Sequence, residues 1–355
     1  MSAAPADVMR RIVRHQLFWP VVALVALLLA AGVRSPGFLD VTVQDGHLFG
    51  QIIDIMRASA TPLLLALGMA LVIATGGIDL SVGAVMAISL AVSLEFLDAS
   101  TSAEQPGTAV LAVVLGVVVA LVLGLFNGFL VSVLGIQPFI ATMILMVAGR
   151  GIAMLITKGQ ITTVTSAPFK HIGSGFFLGL PMPVIVAAVA FVAVVVVVRR
   201  TALGMFLESI GINREAARLT GVQSRNVTWL AYAIAGLLAG VAGIVYGAPT
   251  MAADANNIGL MKEMDAIMCV VLGGTSLAGG RFYLGGTVVG ALILTTIERV
   301  VIIFHIPSQI TPLFKAVVII AVCIAQSPVL LEKLNLARLR RASERRAQAP
   351  KEVTA

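Results

Sequence analysis

One carboxylate lies within an otherwise apolar stretch of the chain. Residues 74–83 read Ala-Thr-Gly-Gly-Ile-Asp-Leu-Ser-Val-Gly, and Asp79 has no charged neighbour among them. A carboxylate at the centre of a bilayer costs about 2.5–3.5 kcal/mol on a lone helix, so such residues mark ion or substrate pathways. The glycines would let the chain leave helical geometry, and Thr75 and Ser81 would give partners to the freed backbone groups. Two interpretations stay open: a broken helix that lines a polar route, or a turn in which Asp79 caps the next helix.

A second segment, residues 273–280, repeats the skeleton Gly-Gly-x-x-Leu-x-x-Gly after another apolar run. Glycine-interrupted segments in corresponding positions of two halves indicate an internal repeat around a transport path. An inverted repeat would make the two preceding spans antiparallel, whereas the count of spans given below makes them parallel. The segment lacks the Lys-Ser/Thr pair with which a phosphate-binding loop holds its nucleotide. We therefore expect no ATP hydrolysis by this chain.

Patterns typical of enzymes are missing from the sequence. The four histidines are scattered without metal-ligand spacing, and no G-x-S-x-G nucleophile elbow occurs. Cys269 and Cys323 both lie in apolar runs, which favours inert buried thiols over a disulfide. We predict no catalytic residue, no cofactor and no metal site, and we disfavour a membrane-embedded enzyme.

The composition defines the elements that must hold these residues. Of 355 residues, 59% are hydrophobic and only 12% are charged, and the mean hydropathy is +1.03. Soluble domains carry about 25% charged residues, and their cores cannot hide so much apolar surface. The apolar runs are continuous rather than alternating, which argues against an outer-membrane barrel. The sequence predicts an all-α polytopic membrane protein.

Apolar runs of nearly 20 residues predict about ten transmembrane helices with glycine-interrupted segments. The runs lie near 18–33, 59–77, 79–97, 108–134, 138–157, 182–198, 229–249, 265–280, 285–303 and 310–327. A first helix that is retained is favoured over a cleaved signal peptide, because nine further spans follow it.

The charges predict the orientation of these spans. An even number of spans places both termini on one side, and Lys and Arg are in excess over Asp and Glu in 1–17, 199–228 and 328–355. Cytoplasmic segments carry such an excess, so both termini are expected in the cytoplasm. The expected domains are an N-terminal tail, 1–17, a transmembrane domain, 18–327, and a basic tail, 328–355. The net charge of +7 then reflects orientation, and nucleic acid is not needed to explain it.

The longest predicted cytoplasmic loop has the pattern of a short capped helix. Asn213 is placed to cap a helix over Glu215–Leu219, and Gly221 is placed to end it. A charged helix flanked by apolar and glycine positions suits the docking of another protein. The alternative is an amphipathic loop that rests on the lipid headgroups.

The segment 76–83, followed by the loop 203–221, resembles the membrane permease of ribose-family ABC importers. Residues 44–50, 136–142 and 253–257 are most similar to the permeases of bacterial galactofuranose importers. The resemblance covers roughly residues 20–327 and implies one of two identical or paralogous permeases in the bacterial inner membrane. A cytosolic ATPase would dock beneath them, and a periplasmic sugar-binding protein would deliver the cargo.

The resemblance also implies roles for particular residues. The loop 199–228 resembles the loop that couples to the ATPase, through Gly204, Glu208, Gly211, Asn213, Ala216, Ala217 and Gly221. The outer acidic residues Asp254 and Glu263 are either docking points for the binding protein or parts of a solvated loop.

Seven polar residues in apolar surroundings are candidates for the translocation path: Thr75, Asp79, Ser81, Asn127, Gln137, Asn256 and Asn257. The alternative for each of them is a helix–helix contact inside the bundle. Glu298 and Arg299 are expected to form structural ion pairs with a neighbouring helix.

The sequence therefore predicts the permease subunit of a monosaccharide importer, for a galactofuranose-like or ribose-like sugar. The alternative is an ion-coupled secondary transporter that works without an ATPase and uses Asp79 to carry a proton. Dependence on an ATPase distinguishes the two.

Overall fold

The computed structural model describes residues 17–326, and this part of the chain contains thirteen α-helices. The predicted tails, up to residue 16 and from residue 328, lie outside the described residues. The helices are α1 (Phe18–Arg34), α2 (Gln51–Ala74), α3 (Val82–Asp98), α4 (Pro106–Ser132), α5 (Pro138–Ile156), α6 (Ala167–Ser174), α7 (Met182–Arg200), α8 (Leu203–Ile212), α9 (Arg214–Leu219), α10 (Ser224–Gly247), α11 (Lys262–Leu272), α12 (Leu284–Ile303) and α13 (Thr311–Gln326).

Within the described residues, six helices are long and apolar enough to cross a membrane: α2, α4, α5, α7, α10 and α12. The other four predicted spans coincide with the shorter helices α1, α3, α11 and α13. The chain is thus a mostly helical, polytopic membrane protein. Three predicted spans, 59–77, 79–97 and 265–280, extend into the glycine-rich segments, because 75–77, 79–81 and 273–280 are not helical.

The connections between helices contain three short antiparallel strand pairs, which the pattern of apolar residues did not predict. β1 (Thr42–Gln44) pairs with β2 (His47–Phe49), β3 (Thr162–Thr163) with β6 (Ala252–Ala253), and β4 (Phe176–Phe177) with β5 (Leu180–Pro181). Each strand is only two or three residues long, which is too short for an alternating hydropathy pattern to be recognised.

Helices α2 and α10 form the centre of the bundle. Helix α10 packs against α2, α3 and α4, and α2 also packs against α7, α11 and α12. Small residues allow this close approach: a methyl group at Gly236 would lie 2.6 Å from the Ala120 carbonyl oxygen. By contrast, α4, α5 and α7 expose apolar side chains such as Val110, Val147 and Val189. These faces suit lipid or another apolar helix.

The connections collect at two opposite ends of the bundle. At the loop-rich end, which holds the strand pairs, the Leu48 amide donates to the Gly179 carbonyl and the Ser166 hydroxyl to the Ala103 carbonyl. The glycine end comprises residues 75–81, 133–137, 201–223 and 273–283. Segments that the sequence assigned to opposite sides of a membrane thus lie at opposite ends.

Candidate functional site

Asp79 lies in the non-helical segment between α2 and α3, and only 1% of its surface is exposed. Its Oδ1 accepts hydrogen bonds from the Ser81 amide at 2.9 Å and from the Ser81 hydroxyl at 2.7 Å. Asn127 on α4 donates through Nδ2 to the same hydroxyl at 2.7 Å. Asn127 Oδ1 and the Tyr232 hydroxyl are buried without a partner in the described part of the chain. The segment is therefore held to α4 by polar contacts inside the bundle.

The other four path candidates do not join this cluster. The Thr75 hydroxyl donates to the Val72 carbonyl of its own helix, and Gln137 is exposed at the glycine end. Asn256 and Asn257 are exposed on the connection between α10 and α11. Only three of the seven candidates thus share one place, where Ser81 contacts Asn127 of α4.

Both glycine-interrupted segments begin with the same helix ending. Gly76 and Gly274 adopt positive φ angles of 81° and 85°, and their amides donate to the carbonyls of Ile73 and Val271 at 2.8 and 2.9 Å. This is the glycine C-cap of a Schellman motif. The shared skeleton Gly-Gly-x-x-Leu-x-x-Gly matched Gly76 with Gly273. In the structure, the residue equivalent to Gly76 is instead Gly274, one position further along the chain.

The two segments touch at the glycine end. The Gly280 amide donates to the Ala74 carbonyl at 3.0 Å, and a methyl group at Gly279 would lie 2.9 Å from Gly76 Cα. Helices α2 and α11 consequently end on the same side and run in the same direction. This agrees with the count of spans and excludes an inverted relation between the two segments.

The predicted capped helix in the loop 199–228 is confirmed. Asn213 Oδ1 accepts from the amides of Glu215 and Ala216 at 3.1 and 3.0 Å, at the start of α9. Gly221, just beyond the end of α9, has a φ of 88°. The cap stabilises the helix by about 1 kcal/mol.

Helix α8, which precedes that cap, is seated directly on the two glycine segments. A methyl group at Gly211 would overlap both the Ala74 carbonyl oxygen and the Gly280 amide nitrogen. The three atoms nearest to that position all belong to the backbone of Ala74 and Gly280. Helix α8 is therefore in direct backbone contact with both segments.

The seven coupling-loop candidates divide into an inner and an outer group. Gly204 and Ala217 are buried and Gly211 is half-buried, whereas Asn213, Ala216 and Gly221 are exposed and Glu208 is intermediate. The outer face also carries large apolar side chains that sequence reasoning missed: Met205, Ile212 and Leu219 are 64%, 73% and 78% exposed. The sequence did contain a signal for these three residues, because large apolar side chains within a charged loop indicate a surface that another protein covers.

A network of ion pairs lies toward the loop-rich end. Lys315 Nζ on α13 lies 2.7 Å from Glu298 Oε1 and 3.3 Å from Asp265 Oδ1, and Lys262 Nζ lies 3.0 Å from Asp265 Oδ2. Arg299 pairs with Asp54 of α2 at 3.4 Å. The expectation of ion pairs for Glu298 and Arg299 is confirmed, but the links to α11 and α13 were not predicted.

Glu263 fits neither of its two interpretations, a docking point for the binding protein or part of a solvated loop. Glu263 is only 2% exposed, because it lies in the first turn of α11 against Gly83 at the start of α3. Nearby, Arg150 donates to the carbonyls of Ala255 and Ile258 and fastens the connection that leads into α11. The α11 helix begins three residues earlier than the apolar run, so Glu263 is drawn into the bundle.

Asp254 is more accessible. Its carboxylate accepts from Asn257 Nδ2 at 2.7 Å and from the Asn256 amide at 3.0 Å. These hydrogen bonds, that of the Asn257 side chain foremost, lower the pKa of Asp254 below its ordinary value. Asp254 therefore stays ionised at neutral pH. In the described residues, no group of three or more His, Cys, Asp or Glu side chains is placed to hold a metal ion.

Comparison with known proteins places these features in a family. Residues 51–323 match the family described as "Branched-chain amino acid transport system / permease component". The galactofuranose transporter permease protein YtfT of Escherichia coli is 47% identical over 88% of this chain and 92% of its own length. The fructose import permease protein FruF of Bifidobacterium longum is 39% identical over 90% of each chain. The ribose import permease protein RbsC of Bacillus subtilis is 36% identical over 86% of this chain and 91% of its own length.

No solved structure matches the chain. The family match covers more than half of the chain, and the similarity to each of the three permeases extends over nearly their whole length. The chain therefore belongs to this family of ABC-transporter permease subunits and, within it, to the ribose-type sugar permeases.

Proposed function

We propose that this chain forms the transmembrane path for a monosaccharide, of galactofuranose or ribose type, in a binding-protein-dependent importer. As a permease, the chain is a non-catalytic membrane subunit, and a separate cytosolic ATPase supplies the energy. The cargo class is supported by relatives whose names specify galactofuranose, fructose and ribose. An ion-coupled carrier is disfavoured, since these relatives are permease subunits.

The observation that supports the mechanism is the close contact that α8 makes, through Gly211, with both glycine segments. In our proposal the ATPase docks on the outer face of α8 and α9, against Met205, Ile212 and Leu219. ATP binding then moves α8, and the movement reaches the segments that lead into α3 and α12. On the side of α8 and α9 that faces the bundle, the contributing residues are Gly204, Gly211 and Ala217. Nearer the ATPase they are Glu208, Asn213, Ala216 and Gly221.

The same proposal includes the topology in the bacterial inner membrane. We propose ten spans, made of the six long apolar helices together with α1, α3, α11 and α13. The glycine end faces the cytoplasm, with the termini and the coupling loop 199–228 on that side. The loop-rich end faces the periplasm and receives a sugar-binding protein. A second permease, identical or paralogous, covers part of the exposed apolar faces of the transmembrane domain 18–327.

Of the path candidates, we propose Asp79, Ser81 and Asn127 as the polar contact that holds the segment between α2 and α3. Thr75 and Gln137 lie nearer the cytoplasmic mouth, and Asn256 and Asn257 nearer the periplasmic one. The sugar would meet these groups through weak, exchangeable hydrogen bonds, because a tight site would retain the cargo.

The proposal is tested by a pull-down of the tagged chain from its native membrane in mild detergent. We expect an ATPase subunit and a periplasmic sugar-binding protein to co-purify. A second, similar permease in the same sample would identify a heterodimer. Reproducible recovery of the folded chain alone, under conditions in which a known ABC importer stays assembled, would contradict the proposal.

A further inference from the structure

A polar cavity of about 330 Å³ lies at the loop-rich end of the bundle. It is formed by the first turns of α2, the last turns of α10, the start of α11 and the second half of α12. Ligand pockets in proteins run from about 300 to 1,000 Å³, so this one suits a small molecule. None of the seven path candidates from the sequence lines it.

Charged side chains of both signs line the cavity. Three acidic residues, Asp54, Asp265 and Glu298, face three basic residues, Arg57, Lys262 and Arg299. Asp54 is paired with Arg299, Asp265 with Lys262, and Glu298 with Lys315, which lies behind the lining. Each carboxylate thus has a cation, whereas Arg57 donates to the Gly173 carbonyl at 3.0 Å and pairs with no carboxylate in the described part of the chain.

The same side chains retain hydrogen-bonding capacity after pairing. A carboxylate has about four lone-pair sites and an ammonium group three donors. Glu298 accepts one described hydrogen bond and Lys262 donates one. Glu298 and Asp54 are also partly open, with 38% and 45% of their side chains exposed. The wall therefore offers hydrogen-bond donors and acceptors close together. This arrangement suits the hydroxyl groups of a solute, since each hydroxyl both donates and accepts.

An aromatic ring and two hydroxyls complete the wall. Tyr246, at the end of α10, is 43% exposed and offers an apolar face with a polar tip. Thr61 and Thr295 also line the cavity. A sugar presents the same combination, with C–H faces on its ring and hydroxyls at its edge.

We infer that this cavity is a binding subsite for a polyhydroxylated solute of monosaccharide size, where cargo first engages the permease. The inference rests on the proposed import function and adds a location to it.

The location is tested with Ala58→Cys, because Ala58 is an exposed, small residue of the cavity wall. The matched control is Ala99→Cys, an exposed alanine beyond the end of α3 that does not line the cavity. The assembled complex is labelled with a membrane-impermeant methanethiosulfonate, and labelling is verified by mass. The wild-type chain controls for the two native cysteines.

We expect labelling of Ala58→Cys to lower ATP-driven import about fivefold or more, since the added group fills a subsite of this volume. Import through labelled Ala99→Cys and labelled wild type should not change. Full import by Ala58→Cys after complete labelling would overturn the inference.

Occupancy of the cavity is tested by protection of Ala58→Cys from the reagent. The probe is whichever of D-ribose, D-fructose and D-galactose the wild-type complex imports. At near-saturating sugar we expect the labelling rate to fall about threefold or more, as occupancy requires. An unchanged labelling rate in the presence of an imported sugar would overturn the inference. If the wild-type complex imports no sugar with ATP, it is the proposed function that fails.

Discussion

At the scale of single residues, Asp79 illustrates how a carboxylate can be retained inside a membrane protein. Its partners are the amide and hydroxyl of Ser81, and Ser81 in turn receives a hydrogen bond from Asn127. The network contains no cation among the described residues, so it needs an oxygen acceptor at this position more than it needs a charge. The role of Asp79 in our proposal is to hold the backbone, and not to carry a proton.

Substitution of Asp79 separates these two roles. Asp79→Asn keeps an oxygen acceptor for Ser81, so we expect ATP-driven import in proteoliposomes to stay within about twofold of wild type. Asp79→Leu removes the acceptor to which the Ser81 amide and hydroxyl donate and should destabilise the fold by about 1–3 kcal/mol, measured by thermal unfolding in detergent. Loss of import in a folded Asp79→Asn protein would support proton coupling instead.

At the scale of elements, the contact between α8 and the glycine segments links a surface loop to the interior. The atoms nearest to a methyl group at Gly211 are backbone atoms of Ala74 and Gly280. A larger residue at position 211 therefore could not be accommodated by the rotation of a neighbouring side chain. The segments leave helical geometry at Gly76 and Gly274 and lead directly into α3 and α12. In our proposal, a small displacement of α8 therefore reaches two places in the bundle.

Gly211→Ala tests this link. The added methyl group overlaps Ala74 and Gly280, and overpacking costs about 1–3 kcal/mol. We expect coupled import to fall about tenfold, whereas docking and ATP hydrolysis by the ATPase continue. The matched control is Gly285→Ala in α12, where a methyl group meets no atom within 4 Å. Equal import by the two variants would show that α8 does not act through this contact.

The outer face of the loop is tested separately. Leu219 is 78% exposed at the glycine end, so Leu219→Arg should leave the fold intact while weakening attachment of the ATPase. Loss of an apolar anchor at an interface costs more than about 1 kcal/mol, and less ATPase should co-purify. Leu178→Arg changes an equally exposed leucine, 87% exposed, at the opposite end and serves as the control. Equal recovery of ATPase with both variants would place docking elsewhere.

Sequence patterns predicted the elements better than the contacts between them. Apolar runs located the long helices, and the spacing of Asn213 and Gly221 predicted the capped α9, because both signals are local. The pairing of Lys315 with Asp265 and the meeting of Gly76 with Gly279 join segments far apart in the chain, and only packing creates them. Glu263 was misplaced because a helix start outside the apolar run carries no hydropathy signal.

At the scale of the whole molecule, the two ends of the bundle have different chemistry. The glycine end presents the capped helix and its exposed apolar side chains, which suits a protein partner that moves the loop. The loop-rich end holds the cavity lined by paired charges and hydroxyls, which suits a polyhydroxylated solute that arrives from the other side. Between them, α2 and α10 form a tightly packed centre. This division is what an importer driven from one side of the membrane requires.

The most direct test is sugar import into proteoliposomes that contain the chain with or without its ATPase and binding protein. We predict uptake of a neutral monosaccharide only when both partners and ATP are present, and none with a proton or sodium gradient alone. Uptake by the purified chain without ATPase, driven by an ion gradient, would contradict the role of a permease subunit.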